Sequence, residues 1–335
     1  MHLRRARPPA VATAFPMTDE GENAARAAGA ATRHYEFGKN WQRFLKVLNA
    51  ERISAAEQSL KRMLHVEDLT NLRFLDIGSG SGLFSLAARN LGASVHSFDF
   101  DQDSVACTEA LKKRYFPGDD RWVVERGSIL DVGYLHQLGT FDVVYAWGVV
   151  HHTGAMWQAL ENALIPVVDH GKLFIAVYND QGKISEYWSQ VKRAYTHYPY
   201  ARPLITCMHI PVLACMRLLP RLLSGRLPSE RGMALWYDLK DWLGGYPFEV
   251  ATPEAIIEFF RDRGCLLLDF GPCADPAGNN EFVFIRPQAK STPHGRHPAG
   301  ERANPQVGSE GAPAKNDTIA DTGPPFKNAL TAQDE

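Results

Sequence analysis

The chain has 335 residues, 45% hydrophobic and 22% charged, with a formal net charge of −2. Such a composition is ample for the core of a soluble globular protein of one large or two small domains, and the near-neutral balance excludes a chain-wide basic field that would draw it onto nucleic acid. Five cysteines (Cys107, Cys207, Cys215, Cys265 and Cys273), odd in number and without a Cys-x-x-Cys pair, argue against a disulfide framework or zinc knuckle and for a reducing cytoplasm.

Residues 1–32 are Arg-rich but lack the continuous apolar run of a secretory signal, and are expected to be disordered. Aromatic residues then interleave with Gly38 in HYEFGKNW (34–41), a segment suited either to fold as a lid carrying Tyr35 and Trp41 or to staple the first helix. Helical periodicity runs through 40–64. Strand and helix signals alternate after that: RFLDI (73–77), then a helix closed by Gly92; SVHSF (94–98), then QDSVACTEALKKRY; RWVVE (121–125); FDVVYAW (141–147), then AMWQALENALI; and KLFIAVY (172–178). A long interruption follows, before the helix PEAIIEFFRDRG and two final strands, CLLLDF and EFVFIR. Seven of the 21 prolines fall in the last 49 residues, with few large apolar side chains, so 288–335 is expected to stay disordered. The folded body is therefore 33–287, with 33–70 as N-terminal helices or lid and 185–250 as a helical cap insert. Alternating strands and helices predict an α/β, Rossmann-like, doubly wound, seven-stranded, mostly parallel sheet with a helical insert before the last helix.

The first strand of this unit runs into FLDIGSGSG, with glycines at 78, 80 and 82. Glycines at a strand end let backbone amides approach a ligand, and the helix that follows offers its positive N-terminus. The spacing G-x-G-x-G departs from the dinucleotide fingerprint G-x-G-x-x-G. Asp76 beside the turn would repel a pyrophosphate but suits an ammonium group. Asp99 ends the next strand, where its carboxylate can accept both hydroxyls of a ribose.

These motifs resemble those of the class I S-adenosylmethionine-dependent methyltransferases, closely over about 70–180 and more loosely over the last helix and strands. The resemblance implies S-adenosyl-L-methionine as cofactor, with Asp76 at its amino group and Gly78, Gly80 and Gly82 lining it. It further implies Asp99 at the ribose, Phe100 beside the adenine, and GSILD (127–131) facing the adenine edge. There Ser128 stands in the family's usual acid position and Ile129 packs on the ring. FDVVYAWGVVHHT resembles the fourth-strand motif, whose tail, from Trp147 onward, lies between cofactor and acceptor.

For transfer to a hydroxyl, a base must take its proton, and His151 and His152 directly follow the fourth strand. Continued alternation there would send their side chains to different sides, leaving one at most for catalysis. Asp180, in VYNDQG after the fifth strand, is the other candidate base, with an Asx-turn as its alternative role. No His, Asp and Glu spacing suggests a metal. Residues 192–245 hold eight Lys or Arg against three Asp or Glu, and the apolar run 203–227 carries Arg217 and Arg221. This basic insert fits peripheral contact with an anionic membrane, a cap over an apolar acceptor, or a plain helical subdomain. The expected function is methyl transfer, most simply O-methylation by direct displacement, to a small apolar or aromatic acceptor, with no nucleic-acid partner. The alternatives are a NAD(P)-dependent oxidoreductase and a non-catalytic cofactor-binding module.

Overall fold

The structure, a computed structural model, describes residues 45, 48–211, 214, 242–273 and 278–288. The expected disorder of 1–32 and of 289–335, the lid at 34–41, and Arg217 and Arg221 of the insert all lie outside the described residues.

The described elements run in chain order α1 (Ala50–Leu64), β1 (Arg73–Ile77), α2 (Leu83–Asn90), β2 (Ser94–Asp99), α3 (Gln102–Tyr115), β3 (Trp122–Arg126), α4 (Val132–Leu138), β4 (Phe141–Trp147), α5 (Met156–Ala163), β5 (Val167–Tyr178), α6 (Lys183–His197), α7 (Pro253–Asp262), β6 (Leu266–Gly271) and β7 (Asn279–Ile285). Short polar side chains start several helices by accepting otherwise unpaired first-turn amides: Asn49 for α1, Asp101 for α3, Asp131 for α4, and Thr252, followed by Pro253, for α7.

Seven strands form one sheet in the order β3-β2-β1-β4-β5-β7-β6. Pairing is parallel from β3 to β5, and β7 is inserted antiparallel between β5 and β6. Period-two alternation along the strands sends side chains into two cores. Phe74, Val95, Val143 and Phe174 join the apolar stripes of α1 and α2, whereas Leu75, Ile77, Phe98 and Val144 join those of α4, α5 and α7. The strand order reverses between β1 and β4, so the carboxyl ends of β1, β2 and β4 border the crevice where open α/β sheets bind ligands.

Two boundaries differ from expectation. Helix α4 has no counterpart among the predicted elements, because seven residues are too few to establish an apolar period; its buried Tyr134 and Leu135 and its Asp131 cap make it a helix. Strand β5 begins at Val167, five residues before the predicted start at Lys172. Its register on β4 jumps from Phe141↔Val167 to Val143↔Lys172, and the exposed Asp169 and left-handed His170 (φ 62°) between them mask the strand signal.

Within the insert, α6 is followed by a 3₁₀ turn (Pro199–Ala201) and a helical stretch over 202–211. Tyr195, Ile210, Trp242 and Leu243 form a small core of their own. Among the described residues no helix is long and apolar enough to cross a membrane.

Phe284 of β7 is buried and stacks on Phe260 of α7, with ring centroids 4.4 Å apart. Phe284→Ala should therefore cost about 3–5 kcal/mol in urea unfolding without changing the slope. A loss under about 1 kcal/mol would mean that β7 does not hold this core.

Candidate functional site

The turn after β1 is set by backbone bonds to β2: the Gly78 and Ser79 amides both donate to the Phe98 carbonyl, at 2.8 and 3.1 Å. Gly78, Gly80 and Gly82 all take positive φ (69°, 55° and 77°), a region closed to most side chains. At two of these positions the space of a missing Cβ is already filled by protein. A Cβ on Gly78 would stand 2.4 Å from a Val149 methyl, and one on Gly82 would stand 3.0 Å from the Thr108 backbone. Glycine at 78 and 82 thus closes the packing of the β4 and α3 ends against the turn, a task beyond the ligand approach expected of it.

Asp99 ties the two strand ends together. One carboxylate oxygen accepts the Gly80 amide and the other the Asp101 amide, each at 2.9 Å. Burial, with Asp101 nearby, pushes its pKa up to about 6 despite these two bonds. Each oxygen keeps lone-pair capacity for a further donor. Beside it Phe100 leaves 42% of its surface exposed, unusual for so large an apolar ring, and Arg126 reaches over that ring while donating to the Phe100 carbonyl. Acceptors at the end of β2 beside an open aromatic face fit a ligand with a ribose diol and a flat heterocycle.

Asp76 is deeper. Its carboxylate receives the Ser85 hydroxyl of α2; Ser85 and Ser97 stand 2.7 Å apart, and the Trp122 indole N–H donates to Ser97 at 2.9 Å. Because an indole can only donate, the chain of bonds runs from Trp122 through Ser97 and Ser85 to Asp76. Burial pushes the Asp76 pKa up to about 7 against the pull of Ser85, with Asp99 adding to the rise.

At the end of β4, Val150–His152 is a 3₁₀ turn rather than continued strand. The expected alternation therefore does not apply, and both histidines face Tyr178: His151 lies 4.2 Å from that ring, His152 lies 5.7 Å from it, and the two imidazoles are 4.5 Å apart. His151 is buried, and its Nδ1 has no hydrogen-bond partner among the described residues. Burial, then the neighbouring His152 and Lys192, hold it well below the usual imidazole range. His152 is half-buried, and its Nδ1 lies 2.7 Å from the Pro247 carbonyl. A carbonyl cannot donate, so Nδ1 carries the proton and Nε2 is the basic nitrogen.

The return leg of the insert is sewn to this turn. The Glu249 amide donates to the His151 carbonyl at 3.0 Å, and its carboxylate accepts the first amide of α5 from Met156, a helix start without a capping side chain of its own. The Ala251 amide donates to Tyr178, and the Asp180 amide to Ala251.

The remaining predicted residues take varied positions. Asp180 accepts the Gly182 amide in an Asx-turn leading into α6. Ser128 accepts the Leu130 amide, and Ile129 lies in the core shared with Phe98. Trp147 donates to Glu281 of β7 at 2.7 Å. Sequence reasoning missed Lys192, which is fully buried among Tyr178, Trp242 and Phe248. Its signal was a cation at the helical spacing of the buried stripe Ser185, Lys192, Tyr195 and Thr196. Among the described residues no cluster of three or more His, Cys, Asp or Glu could hold a metal.

Residues 75–172 match a family model described as a methyltransferase domain. A curated relative, ribosomal protein L11 methyltransferase of Prochlorococcus marinus (strain MIT 9515), is 38% identical over 77 residues, which is 23% of this chain and 26% of that protein. The chain thus matches about a quarter of that relative's length. Among solved structures it is similar to magnesium protoporphyrin IX methyltransferase (ChlM) from Synechocystis PCC 6803 with bound SAH (TM-score 0.45, 11% identity, 80% of this chain and 95% of that one). It is also similar to N-methyltransferase NodS from Bradyrhizobium japonicum WM9 (TM-score 0.40, 15% identity, 72% of this chain and 98% of that one).

A carboxyl with a raised folded pKa binds more protons folded than unfolded. Its stabilising effect is then complete below the unfolded value near 3.8 and is lost as pH rises through the folded value, about 7 for Asp76. The protein without ligand should therefore lose up to about 4 kcal/mol of stability between pH 4 and pH 8 from this residue. Melting temperatures across that range should show the loss in the wild type and a flatter profile in Asp76→Asn. Identical profiles would show that Asp76 is already ionised in the folded chain at low pH.

Proposed function

We propose that this chain, whose residues 75–172 match a methyltransferase family model, is a class I S-adenosylmethionine-dependent enzyme that transfers a methyl group from S-adenosyl-L-methionine to a hydroxyl of a small apolar or aromatic acceptor. The observation that carries the reading is the Asp99 carboxylate, fixed by the Gly80 and Asp101 amides beside the exposed Phe100 ring. That arrangement favours a ribose diol and an adenine face. Asp76, at the end of β1, is the acid for the amino group. When bound, the cofactor would supply a sulfonium methyl group that passes to the acceptor oxygen as its C–S bond breaks, with the thioether S-adenosylhomocysteine as leaving group.

The chain's own residues then have three tasks: to orient the acceptor, to exclude water, and to take the hydroxyl proton. His152 is the preferred base. It is half-buried, and the Pro247 carbonyl fixes its tautomer with Nε2 as acceptor. His151, buried beside it, supports its ring. Asp180 serves the turn into α6, which leaves it a secondary candidate. The insert acts as the cap on the acceptor side, because its return leg is bonded to the histidine turn.

The test is turnover of methyl-labelled S-adenosylmethionine with a panel of phenolic and carboxylic acceptors, reading S-adenosylhomocysteine. Label should move to an acceptor oxygen, and His152→Ala should lose about 10²–10⁴ in kcat while cofactor affinity holds. Transfer to nitrogen or carbon, or an unchanged kcat, would contradict the oxygen-directed reading. Asp99→Ala should weaken S-adenosylmethionine binding by about 1–3 kcal/mol in calorimetry, because it strands the bonds the carboxylate makes. Unchanged affinity would move the ribose contact elsewhere.

A further inference from the structure

Lys192 stands on α6 of the insert, fully buried, which a lysine side chain rarely is. Its ammonium donates to the Trp242 carbonyl and lies 3.9 Å from the centroid of the Trp242 ring, 4.7 Å from that of Phe248 and 5.8 Å from that of Tyr178. Aromatic faces attract a cation, so three of them around one ammonium make a cage suited to holding it charged in a dry site. Tyr178 is shared: one ring borders both this cage and the imidazoles of His151 and His152. A fixed positive charge across one aromatic ring from two imidazoles disfavours a second positive charge on either.

We infer that Lys192 is a positioning residue: caged by Trp242, Phe248 and Tyr178, its ammonium keeps the His151–His152 turn uncharged and so ready to accept a proton. This deepens the proposed role of His152 and rests on it. Among the described residues, the groups that face His151 are Lys192 from α6, Tyr178 from β5 and His152 from its own turn, while Glu249 of the return leg meets it only through a backbone bond. The Glu249 carboxylate turns away to accept the Met156 amide, and burial raises its pKa. The same ammonium links α6 to the end of the insert through Trp242, so the cap and the charge state of the histidine turn depend on one side chain.

The test is imidazole nitrogen NMR of the full chain against pH, which needs no acceptor and no turnover. In the wild type His151 should remain a neutral, single tautomer throughout the folded range. In Lys192→Met, which keeps an apolar chain of similar length in the cage, His151 should begin to take up a proton within that range. Lys192→Arg, which keeps the charge, should restore the wild-type behaviour. Should Lys192→Met fail to fold by circular dichroism, Lys192→Gln replaces it, with the same expected shift. Titration of His151 near its ordinary value in the wild type, or an unchanged profile in the charge-removing variant, overturns the inference. If the NMR shift is present but no hydroxyl acceptor is methylated, the inference stands and the proposed base falls. Where turnover is measurable, the acid limb of kcat/KM should move to higher pH in Lys192→Met and return in Lys192→Arg.

Discussion

The site depends on one half-buried carboxylate holding two turns together. Asp99 ends β2, but its two oxygens bind the amide of Gly80 after β1 and that of Asp101 after β2. These bonds fix the mouths of adjacent parallel strands beside the reversal in strand order. The glycine turn can lie flat against β2 because Gly78 and Gly82 have no side chains where Val149 and Thr108 now pack. A carboxylate partly withdrawn from water is costly to keep charged, which its raised pKa reflects, so an occupant that donates to it offsets that cost. The same constraint therefore accounts for the shape of the turn and for its readiness to bind.

A second polar system works in parallel on the other side of the turn. Trp122, Ser97 and Ser85 pass their hydrogen bonds towards Asp76, so residues from β3, β2 and α2 converge on the acid at the end of β1. A buried polar group without partners would weaken the sheet at this point. Here each hydroxyl is used, and the acid is oriented by neighbours that lie well outside the crevice. Across the crevice, the histidine turn is held by the insert through Pro247 and Glu249, and Ala251 just beyond it bonds the end of β5. The insert is thus part of the site's wall, built into the ends of β4 and β5.

Much of this was legible in the residues. The strand and helix alternation from β1 to β5, the presence of two final strands, and the two acids at neighbouring strand ends all follow from periodicity and from the glycine turn. What was not legible has physical causes. Helix α4 is too short to show a period, and β5 hides its start behind Asp169, His170 and Gly171. The histidines leave the strand pattern in a 3₁₀ turn, which sets both rings against Tyr178. The helical spacing of Lys192 with Ser185, Tyr195 and Thr196 hints at an inward place, but nothing local in a sequence says that Trp242, fifty residues on, will close over it. Long-range closure of that kind is set by tertiary packing, which local pattern does not carry.

The claim that organises the account is that Asp99 and Phe100 receive a nucleoside at the end of β2. A crystal structure of the chain with S-adenosylhomocysteine bound tests it most directly. The account predicts both ribose hydroxyls within hydrogen-bond distance of the Asp99 carboxylate, the adenine against Phe100, and the Gly80 and Asp101 amides still bonded to Asp99. A ligand seated elsewhere, or an Asp99 that makes no contact with the ribose, would contradict it.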